Sequence, residues 1–107
     1  MQKIYSTEDI KDIATRAGSK WFSPDNMRFF NSRVGIDAYP DTTCTDHEGY
    51  YFITSEKYDY KSPRLYTVRY WCIDSPTNIV TVGNFQQHTT RARALGHIKR
   101  LLKGDPK

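Results

Sequence analysis

The spacing of apolar residues along this chain passes from a helical period to an extended one and back again. Ile10, Ile13, Ala14 and Ala17 recur at i, i+3, i+4 and i+7, the single stripe of an amphipathic helix of about three turns. Ser6 opens that helix, Glu8 and Asp9 sit in its first turn as the dipole prefers, and Gly18 supplies the stop. Residues 21–34, WFSPDNMRFFNSRV, then bring one Trp, three Phe and one Met close together. Ser23 as N-cap, Pro24 at the first helical position and Asp25 behind it predict a short second helix, with Phe22 placed to close over Met27. These aromatics read as core, because a chain of this length needs such residues inside.

Alternation takes over next. Val34, Ile36 and Ala38 alternate with Gly35 and Asp37, which suits a short first strand over 33–39 or an extended approach to one, and Pro40 ends it. Residues 41–49, DTTCTDHEG, form a turn-rich polar loop. Residues 50–58 (YYFITSEKY) are rich in strand formers, and 64–73 (RLYTVRYWCI) are the clearest strand. Large side chains fall on both of its faces, as expected of a central strand. After a turn at 74–78, residues 79–82 complete an antiparallel meander of three strands, or four with the early one. Thr89 or Thr90 caps a last helix on Leu95, Ile98 and Leu102, with Ala94 and Leu101 beside them; Gly104 ends it and Pro106 forbids continuation. The order α-α-β-β-β-α predicts one α+β domain over residues 1–107, a three- to four-stranded antiparallel sheet with the helices packed on one face.

Charge adds an asymmetry. Residues 1–60 hold seven Lys/Arg against ten Asp/Glu, and residues 61–107 hold nine against two. A basic half opposite an acidic one points to an anionic partner for one face. No run of about 18 apolar residues and no secretory h-region are present, so the chain is expected to be soluble, cytoplasmic and off the membrane. Two cysteines, Cys44 and Cys72, are too few for a disulfide scaffold.

Candidate chemistry concentrates in the last helix. Arg91 and Arg93 stand in its first turn, where the dipole is already positive and each misplaced charge costs about 0.3–1 kcal/mol at low salt. Arg93, His97 and Arg100 follow at i, i+4 and i+7 on the side read as solvated. Gly96 lets another backbone approach, and Lys99 and Lys103 widen the patch. This is either an anion-facing surface or an ordinary exposed helix face. Arg69, among Tyr66, Tyr70 and Trp71, fits a base-stacking sheet surface or a core with one Arg reaching out. Asp41, Asp46 and Glu48 offer an acidic surface for a basic partner. Cys44 and His47 make a C-x-x-H unit, but Cys72, His88 and His97 lack the spacing of a zinc finger, and no third group orients a Cys–His nucleophile. No calcium loop, phosphate-cradling loop or G-x-S-x-G occurs. The expectation is a non-enzymatic protein with no catalytic residue, metal or cofactor.

Two resemblances extend this reading. The order of helix, three antiparallel strands and basic helix is similar to double-stranded RNA-binding domains, with TTRARALGHIKRLL (residues 89–102) in the place of the phosphate-straddling helix. The three-strands-then-helix half is also similar to DNA-binding domains of phage integrases and plant transcription factors. Separately, KWFSPDNMRFFNSRV, YYFITSEKYD and RLYTVR together resemble a group of small bacteriophage and mobile-element proteins. That resemblance implies an inhibitor of a bacterial nucleic-acid-targeting defence complex, of anti-CRISPR or anti-restriction type. Its partner would be a host defence protein or effector nuclease, with DNA or RNA as the alternative, and the protein a monomer or dimer.

Overall fold

The computed structural model describes residues 6–43, 46 and 48–103. Helix α1 (Thr7–Arg16) starts at Ser6, whose hydroxyl accepts from the Glu8 N–H, and has acidic residues in its first turn and Arg16 in its last. Both ends therefore complement the helix dipole. Ile10 and Ala14 are fully buried, and the chain leaves the helix through Gly18 at φ 101°. Helix α2 (Pro24–Arg28) is capped by Ser23 and runs into a 3-10 turn at Phe29–Asn31. It does not fill the core as expected: none of its five residues is buried. Five residues present no continuous apolar stripe. Phe22 is buried instead and Trp21 packs beside it edge-to-face, with ring centroids 4.8 Å apart.

Strands β1 (Arg33–Pro40), β2 (Gly49–Glu56), β3 (Leu65–Cys72) and β4 (Ile79–Val82) form an antiparallel meander in the order β1-β2-β3-β4. The early strand is thus a full member of a four-stranded α+β sheet, with helices before and after the strands. Val34 pairs with Thr54 and Ala38 with Phe52, so β1 uses more residues than β2 between the two pairs and bulges. Gly35 sits in that bulge, where a Cβ would stand 3.0 Å from the Ile53 carbonyl oxygen. The Thr7 hydroxyl donates toward the Gly35 and Ile36 carbonyls, which ties the start of α1 to the bulge.

Neighbouring strand residues point to opposite faces, and the two faces have separate covers. Tyr50, Phe52 and Trp71 pack with Ile10 and Ala14 of α1 and with Phe22. Ile53 and Val68 pack with Ala94 and Ile98 of α3 (Arg91–Leu102). The helices therefore divide between the two faces, which corrects the one-face packing expected from the sequence. Burying a side chain of the size of Ile53 or Phe52 is worth about 1.5–3 kcal/mol, so neither face of β2 and β3 can be left wet.

Beneath α3, His97 is 1% exposed and His88 8%. His88 Nε2 and His97 Nδ1 lie 3.0 Å apart. One of these nitrogens must donate and the other accept, so the contact holds a single proton. Burial, then the nearby Arg100 and Arg93, push the His88 pKa below its ordinary 6.5. A histidine whose folded pKa lies below its unfolded one takes up more protons on unfolding. Its stabilisation is full above pH 6.5 and disappears as pH falls through the lowered folded value. The expected outcome of urea titrations is therefore a stability that falls below about pH 6.5, by up to about 1.4 kcal/mol per pH unit from this residue. His88→Gln should flatten that part of the profile; an unchanged slope in the variant would contradict the assignment.

Candidate functional site

On the α1 face of the sheet, β3 carries a charged side chain in the line otherwise held by Thr67 and Trp71. Arg69 is 9% exposed. Its Nε donates to Thr54 Oγ1 at 3.0 Å, Nη1 to Thr81 Oγ1 at 2.5 Å and Nη2 to Glu56 Oε2 at 3.3 Å. Glu56 is 2% exposed, and its other oxygen accepts from Thr67 at 2.9 Å. Burial lowers the Arg69 pKa and the Glu56 carboxylate opposes that shift, while arginine stays protonated in proteins regardless. The Trp21 and Phe85 rings each have their centroid 5.5 Å from the guanidinium carbon, within cation–π range.

This ion pair borders a cleft of about 220 Å³, lined also by Trp21, Met27, Phe29 and Phe85, with Asn26 and Ser32 supplying polar groups. Phe29 is 65% exposed and Phe85 45%. The non-glycine residues with positive φ among the described residues are Asn31 (47°) and Gln86 (56°). Each closely follows one of those aromatics in the two loops that supply the walls. Asparagine adopts a left-handed backbone readily, but for a residue such as glutamine it costs roughly 1–2 kcal/mol, so something must hold the second turn. For Gln86 it is the network itself: its N–H donates to Thr67 Oγ1 at 2.8 Å and its side-chain amide to the Glu56 carbonyl at 3.2 Å. A larger groove of about 510 Å³ lies between α1 and the β1 bulge, over Phe22, Met27 and Val34. Its charged members, Glu8, Lys11 and Arg33, are all exposed, and it has no buried charge to compare with the ion pair.

The residues expected to form sites fare differently. Arg69 is not presented to an anion, because Glu56 already neutralises it. His97 does not join the solvated side of α3; at position i+4 from Arg93 it turns under the helix onto His88. Arg91 reaches across to Asp37 at 3.4 Å. Arg93, Lys99, Arg100 and Lys103 do share the outward face, all exposed and without a carboxylate partner among the described residues. The acidic set does not form one surface. Asp41 accepts from the Tyr70 hydroxyl at 2.8 Å and Glu48 from Tyr50 at 2.5 Å; burial, and after it the bond to Asp41, raises the Tyr70 pKa. Tyr50 and Tyr70 project from opposite faces of the sheet, so these two carboxylates are drawn apart; Asp46 is exposed. Cys44 and His47 lie outside the described residues, as do Gly104 and Pro106. No group of three or more His, Cys, Asp or Glu among the described residues is placed to hold a metal ion, and no described helix is long and apolar enough to cross a membrane. Glu56, Trp21, Phe29 and Phe85 were not anticipated as site residues. The signal for Glu56 was present: it follows Tyr50, Phe52 and Thr54 at period two, on the inward face of its strand.

The family model described as a family of unknown function, DUF7447, matches residues 6–99. The chain belongs to that family. No curated protein and no solved structure matches it.

Removing one partner of a buried ion pair leaves the other charge stranded, at a cost of about 3–5 kcal/mol, whereas replacing both with apolar side chains is often neutral. Arg69→Met is therefore expected to destabilise the protein by that amount in urea unfolding, and adding Glu56→Leu to recover most of the loss. A single variant within about 1 kcal/mol of the parent would show that the pair does not have this role.

Proposed function

We propose that this family member acts by binding, in the cytoplasm of a bacterial host, and that the outward face of α3 docks on the phosphate backbone of a nucleic acid. The observation that carries this reading is the row of Arg93, Lys99, Arg100 and Lys103, exposed together in a helix that contains no acidic residue. Gly96 lies in the middle of the row, and a Cβ there would meet only the far end of the Arg100 side chain at 3.8 Å. The helix rises about 15 Å between the first and last of these residues, an average of about 5 Å between successive charges. One strand of a duplex carries a charge per about 3.4 Å of axis, so a strand segment of that length offers enough phosphates for four cations. Thr90 already satisfies the Arg93 N–H; the attraction comes from side chains rather than from a bare helix end.

The inhibitor role implied by the likeness to small phage proteins would use the same row against a carboxylate-lined surface of a host effector nuclease. One experiment separates the two. In anisotropy titrations with duplex and single-stranded DNA and RNA, four phosphate contacts give a plot of log affinity against log salt with a slope near −3 to −4. Arg93→Glu combined with Arg100→Glu should abolish the binding. Retention of full affinity by that variant, or a salt-independent affinity, would refute phosphate docking. Inhibition of an effector nuclease without any binding to nucleic acid would assign the row to a protein partner.

A further inference from the structure

The cleft beside the Arg69–Glu56 pair lies on the opposite face of the sheet from α3, so its occupant does not depend on the cationic row. We infer that it binds a flat, uncharged heteroaromatic ring the size of one nucleobase. Its volume of about 220 Å³ falls below the roughly 300–1,000 Å³ of sites for drug-sized molecules, which leaves room for a single ring system. Its walls are aromatic: Phe29 and Phe85 line it and are 65% and 45% exposed. Trp21 and Phe85 each already lie within cation–π range of a planar guanidinium. Bases stack on aromatic rings and on guanidinium planes alike.

The floor selects for polarity without charge. Arg69 directs three of its five N–H groups at Thr54, Thr81 and Glu56, leaving two among the described residues, while Glu56 cancels its charge. An ion entering the cleft would shed its hydration for no net attraction, since it meets both signs at once. A ring nitrogen or carbonyl accepting from Arg69 pays no such penalty and answers the donors that a hydrocarbon ring would leave unmet. The Asn26 and Ser32 side chains at the same cleft add further hydrogen-bonding groups. The left-handed Gln86 directly follows Phe85 of one wall, and backbone strain beside a cleft is a mark of a working site.

The base has two sources, a free nucleoside or nucleotide and a base turned out from a single strand. Calorimetry with adenosine, guanosine, cytidine and uridine, and in parallel with a short single-stranded oligonucleotide, distinguishes them. Expected is saturable binding in at least one arm, weakened by about tenfold or more in Phe29→Ala and in Phe85→Ala; both positions are exposed, and circular dichroism confirms that the variants fold. Arg93→Glu with Arg100→Glu should leave nucleoside binding intact, which keeps this inference separable from phosphate docking. Nucleoside binding undiminished in both alanine variants would overturn the assignment. So would the absence of binding in both arms, or binding of N-acetyltyrosinamide in place of every nucleoside.

Discussion

The organisation of this protein depends on burying a guanidinium and a carboxylate side by side on one face of a β-sheet. Each ion gives up several kcal/mol of hydration in that position. The loss is tolerable because almost every polar atom there has a partner: Arg69 reaches Thr54 on β2 and Thr81 on β4 as well as Glu56, and Glu56 also accepts from Thr67. Three strands are thus joined by side chains in addition to their backbone ladders. Satisfying the pair also recruits the loop after β4, since Gln86 bonds to both Thr67 and Glu56. The network therefore sets where Phe85 stands, and with it one wall of the adjoining cleft.

The opposite face obeys a different logic. Ile53 and Val68 are apolar and fully covered by α3, whose inner side supplies Ala94 and Ile98. The His88–His97 contact is a polar element there, and it joins the segment bridged to Tyr66 directly to the helix. Because His97 belongs to this inner side, the outer side of α3 is left with lysines, arginines and the small Ala92 and Gly96. Arg91, at the dipole-positive end, is relieved by Asp37 on β1, so only part of the electrostatic irregularity in the helix sequence is resolved within the fold. The remaining cations face outward.

Two surfaces of unlike chemistry result, separated by the sheet. One is a charged helical ridge, proposed to dock on a long anionic partner through many weak, salt-sensitive contacts. The other is a small aromatic cleft on a charge-balanced floor, suited to one flat ring through stacking and a few directional hydrogen bonds. A meander places them on opposite sides for a simple reason: residues 52 and 53, or 68 and 69, are adjacent in the chain but point in opposite directions.

Local signals determined a good deal. The Ser6, Ser23 and Thr90 caps, the Gly18 stop and the apolar spacing placed the three α-helices, and strand formers with alternation located three strands and offered the early one as a fourth, because a cap or a periodic stripe is written within a few residues. The solvated placement of Arg93 and Arg100 followed from the same spacing. The tertiary structure alone decided how the helices divide between the faces and whether Arg69 is a free cation or half of a neutral pair. It also decided that His97 meets a second histidine and that Asp41 and Glu48 serve tyrosines on different sides. Each of these depends on a partner brought close by strand register or by a helix crossing the sheet. A chain read in one dimension shows which side chains need such a partner, and only folding supplies it.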